Sequence, residues 1–203
     1  MIPVSLVVDG DKIPGRLHLT PGDAAVLWVF GAGGGLVGPA GGVYERLAEE
    51  LRPAAVTSLE LDYRHPGQLG PCVKDALAGI AYLEALRKRR FVLVGHSFGG
   101  AVVICAGVAS SAVVGVAALS SQTAGTSTVA HVSPRPILFM HGEADDVLPS
   151  RCSRELYARA REPKALILYP GCHHGLDECR DALEADLKTW LSGVFNLASP
   201  PPG

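Results

Sequence analysis

The chain has no excess of charge of either sign, and this excludes one class of function at the outset. It carries 18 lysines and arginines against 20 acidic residues, for a formal net charge of -2. A protein that binds nucleic acid normally presents a basic face, and none is indicated here. The one basic run, residues 87–90, comes just before an apolar stretch. We interpret it as the cationic end of a helix.

Segments that would direct the chain into or across a membrane are not apparent either. The first ten residues lack a basic region followed by a long apolar core, so the sequence predicts no signal peptide. Residues 101–119 contain no charged side chain, but alanine, valine and glycine dominate them and two serines stand in the middle. We interpret this segment as a helix followed by a buried strand, and not as a membrane span.

Cysteine is too sparse and too scattered to predict a disulfide framework. The five cysteines, an odd number, stand at positions 72, 105, 152, 172 and 179. This pattern is typical of a reduced protein, and we expect a cytoplasmic location. The composition, with 48% hydrophobic and 19% charged residues, is that of a globular chain with one sizeable core.

Apolar strands alternate with helices along nearly the whole chain. Strands are predicted at residues 2–8, 13–19, 25–30, 56–61, 91–94, 113–119, 137–140 and 165–169, and helices at residues 42–51, 71–89, 98–108, 150–160 and 176–194. The first two strands form a hairpin around Asp9-Gly10, Pro71 opens the second helix, and Ser150 caps the fourth. The alternation predicts an α/β fold with a mostly parallel, twisted sheet covered on both faces. We expect one domain over residues 1–196 and a flexible tail over residues 197–203.

A glycine-rich turn between a strand and a helix carries the strongest sign of chemistry. The strand at residues 91–94 runs into Gly95-His96-Ser97-Phe98-Gly99, and an alanine-rich helix follows. A serine on such a sharp turn stands clear of the sheet, and the flanking glycines keep side chains out of the turn. The free N–H groups of the next helix face the same point. We predict that Ser97 is a nucleophile, with an ordinary structural turn as the alternative.

This turn and its context resemble the nucleophile elbow of the α/β-hydrolase family, and the resemblance extends over nearly the whole chain. In that family an acid and then a histidine follow the nucleophile, each after a strand. Residues 141–149, His-Gly-Glu-Ala-Asp-Asp-Val-Leu-Pro, are similar to the family's acid loop. The resemblance implies that Asp145 is the acid, and Asp146 and Glu143 are the alternatives.

The histidine is expected after the last predicted strand, where residues 170–175 read Pro-Gly-Cys-His-His-Gly. The family's histidine usually stands directly before a glycine or another small residue, which implies His174. The adjacent His173 is the alternative. A serine hydroxyl is a poor nucleophile until an adjacent base takes its proton, and His174 would be that base for Ser97, with Asp145 orienting the ring.

The resemblance also implies an oxyanion hole, which holds the negative oxygen of the reaction intermediate. The loop at residues 30–35, Phe-Gly-Ala-Gly-Gly-Gly, follows the strand expected beside the elbow strand. By the resemblance the donors are the backbone N–H groups of Ala32 and Phe98, and Gly33 is an alternative to Ala32. Many relatives have histidine where this chain has Phe30, so we expect different hydrogen bonds within the loop.

Two patterns in these segments are typical of other chemistry, namely dinucleotide binding and metal binding. Residues 33–38 match the Gly-x-Gly-x-x-Gly spacing of a dinucleotide-binding loop, and Asp62 ends the next strand, where a ribose-binding carboxylate would lie. The first of these glycines falls several residues past its strand, which disfavours this interpretation. The cysteines and histidines of residues 172–179 are metal-ligand types, but adjacent ligands on a turn rarely converge on one ion. The sequence therefore predicts neither a cofactor nor a metal.

The expected function is hydrolysis of a small carboxylic ester or thioester. Only residues 120–136 lie between two of the predicted strands, which leaves no room for a helical cap domain. This compact form resembles dienelactone-hydrolase-like proteins, but these typically use cysteine as the nucleophile, so their substrate is not carried over. Acyl transfer by the same residues and a non-catalytic binding module are the alternatives. We expect a small-molecule ester as the partner, no nucleic acid or membrane, and a monomer or homodimer.

Overall fold

A computed structural model describes residues 1–197, in which one eight-stranded sheet lies between two layers of helices. The strands are β1 (Ile2–Val8), β2 (Asp11–His18), β3 (Ala24–Val29), β4 (Thr57–Leu61), β5 (Arg90–His96), β6 (Val113–Leu119), β7 (Ile137–Gly142) and β8 (Lys164–Tyr169). The helices are α1 (Pro39–Leu51), α2 (Leu69–Ala85), α3 (Phe98–Ala109), α4 (Arg151–Arg159) and α5 (Arg180–Phe195). The strand order is β1-β2-β4-β3-β5-β6-β7-β8.

The sheet is parallel except at one edge. Strands β3 to β8 run parallel to one another, whereas β2 is antiparallel to both β1 and β4. The predicted hairpin around Asp9-Gly10 therefore forms the antiparallel edge. Since all carboxyl ends of β3 to β8 meet at one edge of the sheet, the loops that follow them lie on the same side of the molecule.

The central strands are buried on both faces because their successive side chains enter two separate cores. In β3, Leu27 and Val29 pack into the core formed with α2, α3 and α4. Val26 and Trp28 pack into the core formed with α1 and α5. This explains why the strands appear in the sequence as continuous apolar runs. The predicted α/β-hydrolase fold, with helices on both faces, is confirmed.

The carboxyl edge of the sheet carries no cap domain within residues 1–197, as the short connection predicts. Residues 120–136 join β6 to β7 and contain only a 3-10 helix, Val129–His131. Val129 and Val132 are buried in the core, so this connection packs down onto the fold. The segment at residues 101–119 divides into α3 and β6 as expected. No helix in the described part of the chain is long and apolar enough to cross a bilayer.

The basic run at residues 87–90 lies at the carboxyl end of α2, as interpreted, although it follows the helix and does not form its last turn. Arg89 Nη1 donates to the carbonyl oxygen of Glu84, in the last turn of α2, at 3.3 Å. Helix α2 ends at Ala85, and Arg87 adopts a left-handed backbone with φ 65°. Lys88 is buried, and its Nζ donates to the carbonyls of Thr20 and Gly22, both at 2.7 Å. The run therefore fastens the turn between β2 and β3 to the turn before β5.

Two helix starts also differ from their predictions. Ser150 precedes α4, but its side chain makes no capping hydrogen bond. Helix α5 begins at Arg180, four residues after the predicted start at Leu176, which has φ 60° and cannot continue a helix. At the other end Leu197 packs partly buried against the core, so it does not belong to a loose tail. Residues 198–203, the rest of the predicted tail, lie outside the described residues.

The expectation that the cysteines are unpaired was wrong for one pair. Cys172 and Cys179 form a disulfide that closes the loop between β8 and α5, and Cys72, Cys105 and Cys152 are free. The odd cysteine count hid this pair, because the chain has three further cysteines. Disulfides are typical of oxidising compartments, so the cytoplasmic location stays a prediction.

One carboxyl group lies inside the core, on the face of the sheet that α1 covers. Glu60 in β4 has no exposed side-chain surface. Its Oε1 lies 3.3 Å from His18 Nε2, and its Oε2 lies 3.6 Å from Arg16 Nη1 without a hydrogen bond. Burial raises the pKa of Glu60 to about 7, and the charge of Arg16 opposes this only partly.

We expect the disulfide to contribute to stability. Closing a loop of this length restricts the unfolded chain by about 2.5 kcal/mol in the chain-entropy account. Reduction by dithiothreitol, or Cys179→Ser, should lower the free energy of unfolding by about that amount in urea denaturation. Cys152→Ser is the matched control and should change it little. Thiol titration of the unfolded, unreduced protein should find three free thiols, and a count of five would contradict the disulfide.

We also expect Glu60 to make stability fall as the pH rises. Between the ordinary glutamate pKa of about 4.5 and about 7, the folded state binds a proton that the unfolded state has released. The free energy of unfolding should therefore decline over that interval, by at most about 1.4 kcal/mol per pH unit. Glu60→Gln should remove this decline in denaturation curves at pH 5, 6, 7 and 8. Glu84→Gln, at an exposed carboxylate that is not among the charges acting on Glu60, should leave it unchanged.

Candidate active site

The turn that carries Ser97 joins the end of β5 to the first residue of α3. Ser97 has φ 57° and ψ -120°, a strained conformation for a residue with a side chain. A Cβ atom at Gly95 would collide with the carbonyl oxygen of Gly99, and one at Gly99 would collide with that of Phe30. Because β5, α3 and the loop after β3 approach one another this closely, only glycine fits these two positions. The Ser97 side chain remains partly exposed at this junction.

Three of the predicted site residues lie within hydrogen-bond distance of one another. His174 Nε2 lies 3.0 Å from Ser97 Oγ, and His174 Nδ1 lies 2.7 Å from Asp145 Oδ2. An ionised carboxylate can only accept, so Nδ1 carries the proton of a neutral His174 ring. Nε2 is then free to accept the Ser97 O–H. This arrangement can withdraw a proton from Ser97 and pass it on.

The surroundings of Asp145 keep its carboxylate ionised although its side chain is fully buried. Burial by itself would raise the pKa of Asp145, but the His174 side chain and the backbone N–H groups of Leu148 and Val147 hold it below its ordinary value. The two backbone bonds, at 2.8 and 2.9 Å, both reach Oδ1. Oδ2 is thereby left for the imidazole.

The alternative residues for the acid and the base lie elsewhere. Asp146 has 77% of its side chain exposed, and Glu143 forms a surface ion pair with Arg154. His173 has 54% of its side chain exposed, and its Nδ1 is 4.0 Å from Asp146. His174 and Asp145 therefore lie at Ser97, whereas the alternatives Asp146, Glu143 and His173 face other parts of the surface.

The loop after β3 lies directly against Ser97. A Cβ built at Gly31 would be 3.6 Å from the Ser97 Cβ. The Ala32 and Phe98 N–H groups donate no backbone or side-chain hydrogen bond in residues 1–197. An unengaged amide directly after a serine and another in the loop packed against it are the kind of donors that can receive a negatively charged oxygen.

The loop after β3 is held in place by contacts of Phe30 and Asp62. Phe30 stacks on the His96 ring with centroids 5.3 Å apart, and its carbonyl accepts the Tyr63 hydroxyl at 3.1 Å. Asp62 Oδ1 accepts the N–H groups of Gly35 at 2.7 Å and Tyr63 at 2.8 Å. Asp62 therefore supports the loop, which removes the main argument for a ribose-binding carboxylate.

The metal-binding alternative has no support in the geometry. Cys172 and Cys179 are bonded to each other, and the His174 ring nitrogens face Ser97 and Asp145. Within residues 1–197 no group of three or more histidine, cysteine or acidic side chains is arranged to hold a metal ion.

Sequence reasoning missed the part played by His96, which it interpreted only as a variable elbow position. The side chain is buried, and its Nε2 lies 2.8 Å from the carbonyl oxygen of His174. Burial lowers the pKa of His96 to about 4, so the ring stays neutral and Nε2–H donates to that carbonyl. The contact joins residues 78 positions apart, and no local pattern in the sequence indicates it.

The fold has close counterparts among solved structures. The dienelactone hydrolase from Anabaena variabilis ATCC 29413 superposes with a TM-score of 0.80 at 19% identity, covering 95% of this chain and 96% of that one. Est1E from Butyrivibrio proteoclasticus superposes with a TM-score of 0.79 at 17% identity, covering 96% and 99%. At these identities the likeness concerns the fold alone.

Sequence comparison places the chain in a family. The uncharacterized protein YfhR of Escherichia coli (strain K12) is 32% identical over 124 residues, which cover 50% of this chain and 44% of that protein. The match thus spans less than half the length of that relative. The model of the dienelactone hydrolase family matches residues 32–192, from the loop beside Ser97 into the last helix. With most of its length matched, the chain belongs to the dienelactone hydrolase family and has the α/β-hydrolase fold.

Proposed function

We propose that this protein is a serine hydrolase that cleaves a small carboxylic ester or thioester through an acyl-enzyme on Ser97. The observation that carries the proposal is the contact of His174 with both the Ser97 hydroxyl and the Asp145 carboxylate. Membership in a hydrolase family supports hydrolysis of an ester-type bond. Family members typically have cysteine as the nucleophile, so we do not extend their substrates to this chain.

The first half of the reaction forms the acyl-enzyme. Ser97 Oγ attacks the carbonyl carbon of the substrate while its proton passes to His174 Nε2. The carbonyl oxygen becomes negative and accepts hydrogen bonds from the Ala32 and Phe98 N–H groups. When the intermediate collapses, the bond to the alcohol or thiol breaks, and the proton on Nε2 passes to that leaving group. Asp145 stabilises the positive charge that His174 carries between these two transfers.

The second half of the reaction releases the acid. A water molecule gives a proton to His174 Nε2 and attacks the acyl carbon, and the negative oxygen again occupies the space between the two amides. Collapse breaks the bond to Ser97 Oγ, which regains its proton from His174. No step requires a cofactor. The lack of a cap over the carboxyl edge in the described chain supports an open site for small esters.

The central prediction concerns Ser97. Ser97→Ala should lower kcat/KM for p-nitrophenyl acetate on the order of 10⁴-fold or more, because no other group can form the acyl-enzyme. It should also abolish labelling by a fluorophosphonate probe. Ser111→Ala, at an exposed serine outside the site, is the matched control. Equal labelling of wild type and Ser97→Ala would mean that the fold serves binding and not catalysis at this serine.

The same assay separates hydrolysis from acyl transfer. Products are analysed by chromatography with and without a primary alcohol at moderate concentration. Free acid as the main product in both cases agrees with a hydrolase. A new ester as the main product would replace the proposal with an acyltransferase that uses the same residues.

The choice of base is tested by two adjacent substitutions. His174→Ala should lower kcat by several orders of magnitude, because Ser97 loses the group that takes its proton. His173→Ala should change kcat by no more than a few fold, since that ring is exposed and faces Asp146. Steady-state kinetics with one activated ester measure both variants. The reverse ranking would overturn the assignment of His174.

A further inference from the structure

A second side chain, besides that of His174, contacts the carboxylate of Asp145. His141 stands near the end of β7, four residues before Asp145, and is fully buried. Its Nε2 lies 3.0 Å from Asp145 Oδ2 and 2.8 Å from the Leu148 carbonyl oxygen. Its Nδ1 lies 2.7 Å from Ser153 Oγ on helix α4, and Ser153 is also fully buried.

The partners of His141 fix the position of its proton. Both groups at Nε2, the Leu148 carbonyl and the Asp145 carboxylate, are acceptors, so Nε2 must carry the hydrogen. Burial lowers the pKa of His141, so the ring is neutral and Nδ1 has no hydrogen. Ser153 therefore donates its O–H to Nδ1.

The Asp145 carboxylate is then held at each of its two oxygens by two donors. Oδ1 accepts the N–H groups of Val147 and Leu148. Oδ2 accepts Nε2–H of His141 and Nδ1–H of His174. A carboxylate offers about four acceptor sites, and in Asp145 all four are occupied. Any rotation of the carboxylate would therefore break at least one of these hydrogen bonds. The His141 contact thus leaves one of the two acceptor sites of Oδ2 for the His174 ring.

We propose that His141 and Ser153 are positioning residues for the reaction, acting on His174 through Asp145. Ser153 selects the His141 tautomer that donates, and His141 holds the oxygen to which His174 binds. In the other tautomer a lone pair on Nε2 would face two acceptors, and the carboxylate would have to move. The proposal rests on the proposed function of Ser97, His174 and Asp145.

The main test removes only the Ser153 hydroxyl. Ser153→Ala should lower kcat about 10- to 100-fold, the range that loss of one buried hydrogen bond gives, and should leave KM within about twofold. Ser150→Ala is the matched control, since that serine lies three residues away and makes no capping bond. It should retain the wild-type kcat. Ser153→Thr, which keeps the hydroxyl, should recover most of the lost kcat.

A second pair of variants tests His141 itself and does not depend on how Ser153→Thr folds. In His141→Gln the side-chain amide replaces the Nε2–H donor, whereas His141→Leu offers no donor. The glutamine variant should exceed the leucine variant in kcat by at least about tenfold. In wild type, the downfield proton resonance of the His174–Asp145 hydrogen bond should be visible by NMR, and it should broaden or shift in Ser153→Ala and His141→Leu.

These outcomes separate the two proposals. If Ser97→Ala is inactive while Ser153→Ala matches Ser150→Ala in kcat and in the NMR resonance, the positioning role is wrong and the proposed function stands. Equal kcat for His141→Gln and His141→Leu also overturns the positioning role. If Ser97→Ala keeps full activity, the proposed function fails whatever the other variants do.

Discussion

The left-handed backbone of Ser97 is the constraint on which the candidate site depends. A residue with a side chain at φ 57° costs about 1–3 kcal/mol, so the surrounding structure must hold it. Gly95 and Gly99 allow this, because their missing Cβ atoms let β5, α3 and the loop after β3 touch. The close approach of these elements also places Gly31 beside Ser97. The backbone N–H group of Phe98, the first residue of α3, directly follows the serine. A side chain at Gly95 would push α3 away from β5, and one at Gly99 would push α3 away from the loop after β3.

The parallel sheet supplies the second requirement. Ser97 and His174 are 77 positions apart in the chain, and His174 and Asp145 are 29 apart. They meet because β5, β7 and β8 all run in one direction and end at one edge of the sheet. The two-sided core beneath them holds these strand ends in register. The side chains of this site lie on loops, but the rigid strands that precede the loops fix their positions.

Two buried carboxylates show how local donors decide the charge of a group. Asp145 accepts hydrogen bonds from four donors, and its pKa is lowered although burial opposes ionisation. Glu60 is also buried, but its Oε2 has no hydrogen-bond donor within residues 1–197, and its pKa is raised to about 7. Both side chains are buried, but the donors around Asp145 outweigh the effect of burial on its pKa, whereas the contacts of Glu60 do not. The loop at Asp145 provides backbone amides, whereas the backbone amides of strand β4 are engaged in the sheet.

The sequence by itself determined the α/β fold, the elbow at Ser97 and the loops that hold Asp145 and His174. Those features are local: apolar runs long enough to be buried on both faces, and glycines two residues on either side of a serine. It did not determine the use of Lys88, because the partners Thr20 and Gly22 are 68 and 66 positions away. The Cys172–Cys179 disulfide spans only seven positions, but three further cysteines concealed the pair. The start of α5 was missed with it, since the loop that this disulfide closes extends past Leu176. Adjacent His173 and His174 are equivalent as sequence, and only the packing of β8 against β7 turned one of them toward Asp145. The tautomer of His141 was likewise decided by tertiary structure, since Ser153 reaches it from a separate helix.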